Sequence, residues 1–199
     1  LRLMVETDDS MFVDTLSEEN GDGTKSLYIE GIYMQGNKQN RNGRVYPSTV
    51  LEREMFRYER DMIKSRRALG ELGHPQGPKI NEDRASHMIT EMRRDGNNFI
   101  GKAKVLSTPM GKIVESFIRD GVQIGVSTRG LGSVKRNSKG INEVQEDFWL
   151  ATVDVVTDPS GPDCFVNGIY ENAEFFMNAT DGSWRSQQMI EDIVEEIKS

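Results

Sequence analysis

The chain has one cysteine, two histidines, six prolines and no long apolar run among its 199 residues, and each shortage removes a class of protein. A lone Cys164 cannot build an intrachain disulfide framework; it fits a reducing compartment, where a free cysteine most often serves as a small buried hydrophobe. No stretch approaches the roughly 20 apolar residues of a membrane span, and the N-terminus lacks a charged-then-apolar signal pattern, so no membrane association is expected. His74 and His87, thirteen residues apart with no short-spaced partner, make a poor zinc site, and no metal or cofactor is expected. The net charge is −7, with basic residues spread rather than striped, which argues against nucleic-acid binding. The local cluster Arg57, Arg60, Lys64, Arg66 and Arg67 is balanced by Glu52, Glu54, Glu59 and Asp61 and reads as a solvated helix face. There is no internal repeat and no low-complexity segment.

What remains is enough for one substantial core. The chain opens at Leu1, so it is expected to be part of a longer translated product. Residues 1–25 are acidic and broken by Asn20-Gly21-Asp22-Gly23, which reads as a flexible arm with a turn; as a calcium loop it lacks the later glutamate at the right spacing. Residues 26–175 hold the domain. Strands are expected at Leu27–Met34, Ser86–Arg94, Phe99–Val105, Gln123–Thr128 and Phe148–Thr157. Helices are expected over Thr49–Ser65, on a stripe of Val50, Met55, Phe56, Met62 and Ile63, and over Pro109–Arg119, closing at Asp120-Gly121. Residues 176–199 form a linker and an amphipathic helix, with Met189, Ile190, Ile193, Val194 and Ile197 on its apolar face, which packs on the domain, docks on another subunit or detaches. Asn178-Ala179-Thr180 matches a glycosylation sequon but carries no meaning without a secretory route.

Chemistry concentrates in Gly125-Val126-Ser127-Thr128-Arg129-Gly130-Leu131-Gly132, where a hydroxyl follows a short apolar strand and precedes a glycine-rich turn. Such a serine is a nucleophile if its Oγ is exposed beside amides that can hold an oxyanion, and otherwise it is a turn residue. The base would be His74, fixed between Gly73 and Pro75 where a helix cannot continue. His87 alternates with Ser86, Met88, Thr90 and Met92 and reads as a polar residue on the opposite side of the strand from the methionines. Asp154 interrupts the apolar run Leu150–Val156, and a histidine N–H would offset its burial; an outward position on an edge strand fits equally well. Asp158, before Pro159, reads as a turn residue.

Four segments carry a resemblance: Asn40-Arg41-Asn42-Gly43-Arg44-Val45-Tyr46-Pro47, Ala68-Leu69-Gly70-Glu71-Leu72-Gly73-His74-Pro75, Gly125 to Ser133, and Thr152-Val153-Asp154 with Pro159-Ser160-Gly161-Pro162-Asp163. In this order, over about Ile29 to Asp163, they resemble the prohead core serine proteases of large tailed bacteriophages, relatives in fold of the herpesvirus assemblins. The resemblance implies an α+β, mainly β fold built on a small closed antiparallel β-barrel surrounded by helices. It implies Ser127 as nucleophile, His74 as base and Asp154 as third member, and an endopeptidase acting on scaffold and major capsid proteins inside the procapsid in the host cytoplasm. The Arg129 and Gly130 amides are the expected oxyanion hole. The family's cleavage after glutamate in apolar-any-Glu sites points to an S1 cation, Arg129 or Lys135, and to self-cleavage at Glu18, Glu171 and Glu195. The competing reading is a non-catalytic structural component of the procapsid core with the same fold; a homo-oligomer is left open.

Overall fold

Alternation is plainest in the middle of the chain, where every second residue from Phe99 to Val105 is buried, and this period of two lays down the central hairpin of the fold. The structure, a computed structural model, describes residues 2–6, 13–19, 25–75, 77–157, 175–177 and 184–186. In chain order these form β1 (Arg2–Glu6), β2 (Val13–Glu19), β3 (Lys25–Gln35), β4 (Arg44–Val45), α1 (Ser48–Tyr58), β5 (Leu69–Glu71), β6 (Ala85–Asp95), β7 (Asn98–Val105), α2 (Pro109–Arg119), β8 (Gly125–Gly132), β9 (Val134–Arg136), β10 (Asn142–Val144), β11 (Trp149–Val156), β12 (Phe175–Met177) and β13 (Trp184–Ser186). The hairpin β6–β7 turns on Gly96-Asn97, with left-handed Gly96 (φ +60°) at the first loop position.

A five-stranded antiparallel sheet runs β2-β3-β7-β6-β5, and a three-stranded antiparallel sheet runs β1-β8-β11. They meet where Leu72, just past β5, bridges in parallel to Val155 and Gly73 N–H donates to Val155 O at 2.8 Å. Two small sheets, β4-β10-β9 and β12-β13, complete the set. The expected closed barrel is not found among the described residues: β2 and β1 stand as free edges of their sheets, and a barrel has none. The mainly β character holds. Residues 2–6 and 13–19, expected as an arm, supply β1 and β2. Asn20–Gly23, Asp158, Cys164 and the sequon lie outside the described residues, as does the expected C-terminal helix apart from Trp184–Ser186, which is a strand.

α1 buries Val50, Leu51, Glu54, Met55 and Tyr58, a stripe at helical spacing, against the core around Tyr33, Phe99 and Phe148. Phe56, expected on that stripe, is 57% exposed. The expected single helix to Ser65 instead passes into a π turn over Glu59–Ile63, closed by Lys64 N–H on Glu59 O, while Met62 and Ile63, expected on the stripe, still pack half-buried against the core. Arg57, expected on a solvated face, donates to Leu150 O at 2.6 Å, and buried Glu54 accepts from Leu150 N–H at 2.9 Å, so α1 is tied to β11 through polar groups. α2 spans the expected residues; Thr108 caps it by accepting from Gly111 N–H, and it closes at left-handed Gly121 (φ +76°). Among the described residues no helix is long and apolar enough to cross a membrane.

Candidate active site

β8 was expected to stop at Thr128 and turn on its glycines; it continues as a strand to Gly132, because Gly130 serves close approach rather than turning. A Cβ at Gly130 would stand 2.6 Å from the Phe148 ring and 2.7 Å from Trp149 O. The ladder with β11 sets Ser127 directly opposite Asp154 and, in the same register, Arg129 opposite Thr152; the bulge between Leu150 and Thr152 lies beyond them. Opposed residues of an antiparallel pair share a face, so Ser127, Arg129, Thr152 and Asp154 line one side of this sheet, while Val126, Thr128, Val153 and Val155 line the other. All of these residues are buried.

The Asp154 carboxylate is the hub of the polar side. Oδ1 accepts from the Glu71 amide and from Arg129 Nη2, both at 3.1 Å, and Oδ2 lies 2.9 Å from Arg129 Nε and 3.2 Å from His74 Nδ1. Burial alone would raise this carboxyl; the Arg129 charge, the His74 hydrogen bond and the Glu71 amide outweigh it and hold it below the ordinary carboxylate range. An ionised carboxylate can only accept, so His74 donates to it from Nδ1–H. Its Nε2 is buried and has no hydrogen-bond partner among the described residues.

Arg129 does more than its sequence context announces. Its side chain, 0% exposed, also pairs with Glu71 and donates from Nη1 to Gly77 O (2.9 Å) and Lys79 O (3.2 Å). Glu71 Oε1 in turn accepts from Asn81 N–H and Nδ2 at 3.2 and 3.0 Å. These bonds, with Arg84 Nη2 on Leu72 O at 2.6 Å, pin the segment between β5 and β6 that carries His74. Glu71 was missed by the sequence reading, although a carboxylate inside the apolar stretch before His74 is the same signal that marked Asp154.

The remaining expected positions fall elsewhere. With its guanidinium taken up inside the protein, Arg129 is not available as an S1 cation, and Lys135 is exposed on β9. The Arg129 and Gly130 amides sit in an extended strand paired on both sides, where successive N–H groups point to opposite edges, so the structure does not bring them together on one oxygen. Glu18 lies in β2, paired with Ser26 of β3; Glu171 and Glu195 lie outside the described residues. His87 is buried on the core side with Ile89, opposite Met88 as expected, but past a β6 bulge between Ile89 and Glu91 Met92 joins its side rather than opposing it. The bulge shifts the alternation by one residue. His87 Nε2–H donates to Val153 O and Nδ1 accepts from Ser86 Oγ–H, both at 2.9 Å, and burial pushes its pKa down, so it stays neutral. No group of three or more His, Cys, Asp or Glu side chains among the described residues is arranged to hold a metal.

Ser127 and Asp154 stand opposite one another on β8 and β11, with His74 on the Asp154 carboxylate, and comparison with known proteins gives the class, a serine-type protease. The family model for prohead core protein serine proteases matches residues 4–174, and the chain belongs to that family. It is 40% identical over 144 residues to the prohead core protein protease of Enterobacteria phage T4, covering 70% of this chain and 68% of that one. The solved structure of the bacteriophage T4 capsid assembly protease superposes with a TM-score of 0.69 at 34% identity, covering 78% of this chain and 97% of that one.

Proposed function

We propose that the chain is a serine endopeptidase that cleaves scaffold and major capsid proteins inside the immature phage head, in the host cytoplasm, during capsid maturation. Ser127 Oγ attacks the scissile carbonyl while His74 Nε2 takes its proton and later delivers it to the leaving amine. Asp154 holds the Nδ1–H tautomer and stabilises the imidazolium; Arg129 and Glu71 hold Asp154 and the His74 segment in place. The reading is carried by the asymmetry of His74, whose Nδ1 is held by a carboxylate while its buried Nε2 is left without a partner among the described residues, on a carboxylate that stands opposite Ser127. Cleavage follows glutamate in apolar-any-Glu sites, and the chain cuts itself at Glu18, Glu171 and Glu195.

Purified protein is expected to cleave a capsid-protein peptide containing such a site, to be indifferent to chelator, and to lose cleavage in Ser127→Ala. Persisting cleavage in that variant would refute the nucleophile assignment, and chelator sensitivity would indicate a metal hydrolase. No cleavage by the unaltered chain would favour the non-catalytic core component. Intact masses of the active enzyme and of Ser127→Ala test the self-cleavage separately; identical termini in both would remove it.

A further inference from the structure

A peptide bond reaches a serine nucleophile as part of an extended chain, whose backbone groups need partners, and the usual partner is the edge of a strand. β8, which carries Ser127, has two edges. β11 closes one of them from Gly125 to Leu131. The other is taken by β1, antiparallel, in the register Arg2 with Gly132 through Glu6 with Thr128. Among the described strands β1 pairs with β8 alone and is the outer strand of its sheet.

We infer that β1 lies in the place of a substrate: the edge of β8 leading to Ser127 is a strand-addition site for an extended peptide, and the chain's own N-terminal strand is its tethered occupant. The inference rests on Ser127 being the nucleophile. The polarity fits acyl transfer. A peptide laid antiparallel from Gly132 towards Thr128 presents its residues N-terminal to the scissile bond along β8 and arrives at Ser127 with a carbonyl; the leaving amine then departs past the end of the paired segment. β1 stops one register position short of Ser127. Its last residues, Met4-Val5-Glu6, have the apolar-any-Glu form of the proposed specificity, with Glu6 nearest Ser127 in the register. A strand tethered by a short connection competes at an effective concentration in the millimolar range, so even a weak ladder of this kind holds back substrates in solution.

The test reads binding in a Ser127→Ala, Cys164→Ser background, using a fluorescein-labelled peptide with the sequence of residues 1–6 as probe. Arg2→Cys with Gly132→Cys allows β1 to be locked by oxidation and released by dithiothreitol in one and the same protein. The reduced form is expected to bind the probe at least tenfold more tightly than the oxidised form, and a chain lacking residues 1–6 at least tenfold more tightly than the full chain. Equal or undetectable binding by oxidised, reduced and shortened forms overturns the inference. Because Ser127 is already replaced, that outcome is independent of whether Ser127 cleaves, which peptide hydrolysis by the unaltered chain decides.

Discussion

The two histidines of this chain reach adjacent residues of one strand, and the difference between their surroundings separates structure from chemistry. His87 meets the backbone carbonyl of Val153, and His74 meets the side chain of Asp154. At His87 both ring nitrogens are satisfied, one by a carbonyl and one by Ser86, and the ring crosses β5 at Gly70, where a Cβ would stand 2.2 Å from Nε2. At His74 one nitrogen is held by a charge and the other is kept out of solvent with nothing among the described residues to bond. Burial is common to both; a buried ring nitrogen without a partner among the described residues belongs to one.

The sharpest way to break this contrast is to exchange the expected losses. Ser127→Ala and His74→Ala should each lower kcat/KM for a peptide substrate by about 10⁴-fold or more, with little change in urea midpoint. His87→Gln should do the reverse, and a His74→Ala chain that still cleaves would erase the distinction. Asp154→Asn should lower kcat by about 10⁴-fold, because the amide no longer selects the Nδ1–H tautomer.

Next in size, Arg129→Met leaves Glu71 and Asp154 buried side by side and should cost about 3–5 kcal/mol in denaturant unfolding. A smaller loss would mean that the two carboxylates share a proton. Gly70→Ala, which drives a methyl into the His87 ring, should cost about 1–3 kcal/mol while specific activity per folded molecule is retained.

The smallest effect lies in the pH dependence of stability, and His87 and Asp154 should show different windows. His87 is neutral when folded with a lowered pKa, so the unfolded chain binds a proton that the folded chain does not; stability falls as pH drops below about 6.5, and His87→Gln should flatten that region. Asp154 is held ionised with a lowered pKa, so its contribution is intact above about pH 4 and is lost as pH falls below that; only Asp154→Asn should flatten the acid end.

What could be read from the sequence was local. Asp154 stood out because it broke a run of β-branched residues, His74 because Gly73 and Pro75 fixed its backbone, and α2 because Asp120-Gly121 closes it. What could not be read depended on partners far away in the chain. The Arg129 side chain finds Glu71 at a separation of 58 residues, and Gly130 is a glycine because of Phe148 and Trp149. The β6 bulge shifts the alternation by one position, which a fixed period of 2 cannot anticipate. β5, three residues long, has too few positions to show any period.

The two-faced ladder of β8 and β11 also bears on how the molecule finds its own pairing. Slipping this ladder by one residue would keep most backbone hydrogen bonds, but it would turn over one strand relative to the other, leaving Arg129 beside Val153 and Val155 and Asp154 beside Val126 on the opposite face. Each stranded ion would cost several kcal/mol there, whereas the aliphatic residues alone would discriminate poorly between the two alignments. The guanidinium and carboxylate thus act as a key cut for a single register, and a chain that has folded without fitting it is one in which Ser127 faces the wrong side of the sheet.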